Sequence, residues 1–112
     1  MSEMTKETQE KIEELQVIEQ NLQSYVNQKQ SFQSQSLEID SALKELEKTD
    51  EAYRIVGNIM VKNSKTDLKD NLESKKEIVD IRLKNIEKQE VLLKEKAQKM
   101  EQEILNKIGK SD

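Results

Sequence analysis

Apolar residues recur along both halves of this chain at alternating steps of three and four, and a short block at the centre breaks the rhythm. In the first half, Leu15, Leu22, Lys29, Ser36 and Leu43 form one line of a heptad. Ile18, Tyr25, Phe32, Ile39 and Leu46 form the other. The second line is apolar throughout, whereas Lys29 and Ser36 interrupt the first. In the second half, Leu72, Val79, Ile86, Leu93 and Met100 make a clean line. Lys76, Leu83, Glu90, Ala97 and Ile104 make its charged companion. A sustained three-four repeat predicts two long helices that bury one narrow seam, as in a coiled coil. With Lys29, Lys76 and Glu90 in it, the seam is expected to be wet, the lysine stems lying along it with their charges in water.

The central block reads AYRIVGNIMVKN, residues 52–63. Two bulky or β-branched runs flank Gly57-Asn58, and a two-residue connection with Gly first fits a type II′ hairpin turn. That turn sets Val56 opposite Ile59, Ile55 opposite Met60, Arg54 opposite Val61 and Tyr53 opposite Lys62. Ser64 follows as an N-cap, with Asp67 in the first turn of the next helix. The expected organisation is a single domain over 1–112: a helix over about 5–49, a hairpin over 52–63 and a helix over about 65–108. A mid-chain hairpin reverses the chain, so helices of about 45 residues, each about 67 Å long, run antiparallel with both termini at one end.

Composition narrows the class. Only 33% of the chain is hydrophobic and 38% is charged, too little apolar surface for a broad globular core. The absence of proline permits uninterrupted helices. Without Cys or His, the chain has no thiolate and lacks the usual general base and commonest metal ligand. Asp67, Asp70 and Glu73 read as a solvated helix face, so no catalytic, metal or cofactor site is expected and the chain reads as no enzyme. No Gly-rich loop cradles a phosphate. A net charge of −4 without a basic tract argues against nucleic acid. The charge is uneven: residues 1–56 carry 12 acidic and 6 basic side chains, residues 57–112 carry 11 and 13. No apolar run approaches the length needed to span a membrane, and no apolar signal segment opens the chain.

The hairpin is too long and too apolar for a mere turn. Tyr53, Ile55 and Met60 share one face; Val56, Ile59 and Val61 share the other. A lone two-stranded hairpin is marginal in water and exposes two edges. The block Tyr53, Ile55, Val56, Gly57, Asn58, Ile59, Met60 and Val61 is therefore expected to join several chains into a sheet or closed barrel.

Two long helices about the block YRIVGNIMVK resemble the β-type subunit of prefoldin, with the aromatic residue, the apolar-Val-Gly turn and the apolar run ending in Lys62 as the most specific part. The resemblance covers essentially the whole chain. It implies a mainly α fold in which the central hairpin assembles into an intersubunit β-barrel. It further implies an ATP-independent holdase of the cytoplasm, needing no cofactor, in a hexamer of two α-type and four β-type subunits. Its coiled-coil tips hold unfolded polypeptides and pass them to a group II chaperonin. At the tip end this sequence offers Met1, Met4, Ile12, Ile104, Leu105 and Ile108, of which Leu105 and Ile108 lie off the seam. The competing reading is a structural coiled-coil oligomer, a spacer or tether that holds no client.

Overall fold

The computed structural model describes residues 5–110. Helix α1 runs Lys6–Glu47, strand β1 Ala52–Val56, strand β2 Ile59–Asn63 and helix α2 Lys65–Lys110. Each helix begins at a side-chain cap. The Thr5 hydroxyl accepts the Thr8 amide at 3.1 Å, and the Ser64 hydroxyl accepts the Asp67 amide at 3.1 Å. Both satisfy donors that the first helical turn leaves without a partner. Helix α1 ends by tightening: the amides of Lys48 and Thr49 reach back three residues, to the carbonyls of Glu45 and Leu46. The Thr49 hydroxyl then donates to the Glu51 carbonyl at 2.9 Å, turning the chain into β1.

Strands β1 and β2 form a two-stranded antiparallel sheet with Tyr53 opposite Lys62, Arg54 opposite Val61, Ile55 opposite Met60 and Val56 opposite Ile59. This is the register that the Gly57-Asn58 turn predicts. Gly57 has φ +61°, and no other described residue has positive φ. A type I′ turn needs positive φ at both central residues and II′ only at the first, so the angles select II′.

The chain packs as two units, Met1–Lys29 with Asn85–Asp112, and Gln30–Lys84. In the first, the terminal unit, Ile18, Ala97, Met100 and Ile104 form the buried core. Ile12, Leu15, Leu22 and Leu93 pack against it. In the second, the hairpin unit, Leu46, Ala52 and Val79 are the buried apolar residues. Every heptad position read from the sequence is buried or half-buried. The seam also extends one heptad further than its apolar residues show, through buried Thr8 and half-buried Lys11.

The lysines of the seam do not end in water as the sequence suggests. Lys29 Nζ lies 3.0 and 3.3 Å from the two carboxylate oxygens of Glu90, whose side chain is only 7% exposed. Lys94 adds a second ammonium at 3.7 Å. In the hairpin unit Lys76 pairs with Asp40 across the helices, and the Ser36 hydroxyl donates to Asp80 at 3.5 Å. The correction has a simple origin. Lys29 and Glu90 each interrupt an apolar line, and the antiparallel register brings the two interruptions together. A buried carboxylate without a cation would be costly, so the pair favours this register over one shifted by a heptad.

The burial pattern separates neighbours on α2. Ile104 is 7% exposed inside the core, whereas Leu105 is 63% exposed. Ile104→Ala is expected to destabilise the chain by about 2–5 kcal/mol, the range for truncating a buried Ile. Leu105→Ala is expected to change stability by no more than about 0.5 kcal/mol. Chemical denaturation of the two variants checks the contrast, and equal losses would contradict the seam assignment.

Candidate functional site

Two surfaces stand out, one in each unit. The first is the hairpin. Ile55 is 72% exposed and Met60 67%, and Tyr53, Val56, Ile59 and Val61 are exposed as well. Ala52, at the start of β1, is the one strand residue that is buried. The alternation of side chains along β1 and β2 puts Tyr53, Ile55 and Met60 on one face and Val56, Ile59 and Val61 on the other. Neither face is covered by its own chain. Gly57 and Asn58 lie exposed at the turn between them. Tyr53 directs its hydroxyl to Glu51 at 3.2 Å, which leaves its ring on the surface.

Beside the hairpin lies an open groove of about 500 Å³. Its walls are the last turns of α1 (Ala42, Leu46), Thr49 just beyond it, β1 (Ala52, Tyr53) and the first turns of α2 (Leu68, Leu72). Sequence reasoning missed this groove. Its lining comes from three segments that only the folded chain brings together.

The second surface is in the terminal unit. Leu105 and Ile108, 63% and 40% exposed, offer apolar groups outside the seam. Ile104 is removed from the set of exposed candidates by its burial in the core, where Met100 and Ala97 are its partners. Ile12 is half-buried against the same core. Met1 and Met4 lie outside the described residues. Charges lace the rest of this unit. Glu7 is held by Lys107 at 2.6 Å and Lys11 at 3.8 Å, and Lys11 also meets Glu103 at 3.3 Å.

These contacts shift three ionisable groups. The hydrogen bond from Lys29, then its charge and that of Lys94, hold Glu90 below the usual carboxylate range against the opposing effect of burial. Lys107, through its hydrogen bond and charge, and then Lys11, do the same for Glu7. The hydrogen bond and charge of Asp40 raise Lys76. The lowered carboxylates add stability above their unfolded-chain value of about 4.3 and lose it as pH falls through their folded values. The raised Lys76 adds stability below about 10.4 and loses it as pH rises through its folded value.

Among the described residues, no cluster of three or more acidic side chains is placed to hold a metal ion, and no helix is long and apolar enough to cross a membrane. What the molecule presents is apolar surface on a helical scaffold. Two antiparallel helical segments, joined through an apolar β-hairpin that its own chain leaves uncovered, define a hairpin-linked coiled-coil subunit. The family model for prefoldin subunits matches residues 9–111. The chain is 34% identical to prefoldin subunit beta of Archaeoglobus fulgidus, over 97% of each chain. It is 34% identical to that of Thermococcus onnurineus, over 93% of this chain and 92% of the relative. The crystal structure of the prefoldin beta subunit from Thermococcus strain KS-1 superposes with a TM-score of 0.87 at 32% identity, covering 95% of this chain and 96% of that one. The chain belongs to the prefoldin family, as a subunit of the β type.

Proposed function

We propose that this chain is a holdase subunit: its hairpin joins it to other prefoldin subunits, and its terminal unit holds non-native polypeptides without ATP. The observation that carries the reading is the hairpin, which leaves large apolar side chains bare on both faces in a chain of the prefoldin family. An isolated hairpin of this kind is costly to keep in water. Burying each such side chain in a shared β-barrel contributes about 1.5–3 kcal/mol. The partners that fit are α-type subunits, in a complex of two α and four β subunits, with the chain acting as a single prefoldin-like domain in the cytoplasm. Delivery of clients to a group II chaperonin completes the reading. The chemistry required is adhesion, for which no cofactor or catalytic group is needed.

Client binding is assigned to Leu105 and Ile108, the exposed apolar pair of the terminal unit. Single contacts of this size are weak, but several subunits on one client raise the effective concentration of each. The complex of this chain with an α-type partner is expected to suppress aggregation of a denatured model protein in the absence of ATP. Changing Leu105 and Ile108 to Ser is expected to remove most of that suppression while the complex keeps its mass by sedimentation. Full suppression by the double variant would remove these residues from the client site. An assembled wild-type complex that suppresses nothing would leave a spacer or tether.

A further inference from the structure

The chain has no cysteine, so methionine supplies all of its side-chain sulfur. Of its four methionines, Met1 and Met4 lie outside the described residues, and Met100 is only 9% exposed, in the core of the terminal unit. Met60 is 67% exposed. It stands in β2 directly opposite Ile55, on the hairpin face that also carries Tyr53. Among the described residues, the one exposed thioether is therefore on the apolar hairpin and not on the long helices.

That position gives the sulfur a chemistry of its own. Peroxide converts an accessible thioether to the sulfoxide. A sulfur lone pair forms the S–O bond while the peroxide O–O bond breaks. The sulfur loses two electrons, the peroxide gains them, and the departing oxygen takes up the proton and leaves as water. The product is nearly the size of methionine but carries a strongly polar oxygen. Such an acceptor is costly to bury without a donor. Ile55, directly opposite, has no polar side-chain atom to offer it.

We propose that Met60 is a site of reversible oxidation that decides whether this subunit can join its partners. The inference rests on the assembly reading above and adds a control to it. The free chain leaves Met60 open to peroxide, whereas a joined hairpin covers it. Oxidant therefore acts on free subunits and bars their entry, while a complex already formed shields the sulfur. A methionine sulfoxide reductase reverses the step: its two thiols become a disulfide, the oxygen leaves as water, and the thioether returns.

The test needs no substitution. The free chain is partly oxidised with hydrogen peroxide, the peroxide is destroyed with catalase, and untreated α-type subunits are added. Sedimentation separates assembled from free chain, and peptide mass mapping locates the added oxygen in each fraction. Met60 is expected to gain oxygen well before Met100. Its sulfoxide is expected to collect in the free fraction, with association weakened roughly tenfold or more. Sulfoxide at other methionines is expected to divide evenly between the fractions. Reductase with dithiol is expected to return the free fraction to the complex, and a preformed complex to take up oxygen at Met60 far more slowly than the free chain. If Met60 sulfoxide is equally abundant in both fractions, the control is wrong and the assembly reading stands. Equal oxidation rates at Met60 in free and assembled chain would also overturn it, since the joint would not cover that residue. An untreated chain that joins no α-type subunit would remove the joint itself, and the control with it.

Discussion

Changing Ile55, Ile59 and Met60 together to Ser is expected to dissolve the assembly while leaving the helices intact. All three side chains are well exposed in the single chain, so their loss removes nothing from its own core. They take both faces of the hairpin, Ile55 and Met60 on one and Ile59 on the other. Each loses about 1.5–3 kcal/mol of burial if it is covered in the complex. Three such losses weaken association by a factor on the order of a thousand or more, since each 1.4 kcal/mol is about tenfold. Sedimentation is expected to show the subunit leaving the complex, and circular dichroism to show unchanged helix content. Gly57 is left untouched so that the turn, with its positive φ, still forms. A variant that keeps the wild-type mass in the presence of α-type subunits would show that the hairpin is not the joint.

The second large effect is expected at the seam. Lys29→Met removes the hydrogen-bonded cation from Glu90 and leaves a carboxylate that is almost fully buried. Lys94 remains, but at 3.7 Å and on the exposed rim. The melting temperature at neutral pH is expected to fall further for Lys29→Met than for Lys48→Met, which breaks the exposed Lys48–Glu45 pair. The difference from wild type is expected to shrink as pH falls through the carboxylate range, because without Lys29 burial favours protonation of Glu90, and protonating it removes the buried charge. Wild type itself is expected to lose stability over the same range, as the lowered Glu90 and Glu7 both take up protons. Combining Lys29→Met with Glu90→Leu is expected to restore the melting temperature to that of wild type or above, since well-packed apolar residues replace buried ion pairs without loss. A Lys29→Met melting temperature equal to wild type at neutral pH would show that the pair contributes nothing. The double variant is also the one in which the antiparallel register has lost its charged marker, so slippage is expected there first.

The two experiments address different links. The hairpin variant tests how subunits find one another, and the seam variant tests how one chain keeps its helices in step. Neither changes Leu105 or Ile108, so the aggregation assay is independent of both.

Much of this was legible in the residues themselves. A heptad is a local periodicity, and each helix obeys it whatever it packs against. That is why Ile18, Val79 and Ile86 are buried where the spacing places them. The turn is local too: Gly57 and Asn58 set the II′ geometry, and that geometry sets the pairing of Tyr53 with Lys62 and Ile55 with Met60. Ser64 caps α2 through a bond to a residue three positions along.

What the sequence left open depends on contacts between residues far apart in the chain. Lys29 and Glu90 are 61 positions apart, and only the antiparallel packing turns two apparent defects into one ion pair. Thr8 and Lys11 belong to the seam, although their polarity hides them from a search for apolar spacing. Ile104 and Leu105 are adjacent and chemically alike. The packing of α1 against α2 buries one and leaves the other exposed. The groove beside β1 exists in no single segment, because the ends of two helices and one strand each supply a wall. Sequence determined the elements and their register, since those follow from spacing along one chain. Tertiary structure decided which charges meet and which apolar groups stay free, since those follow from distances across it.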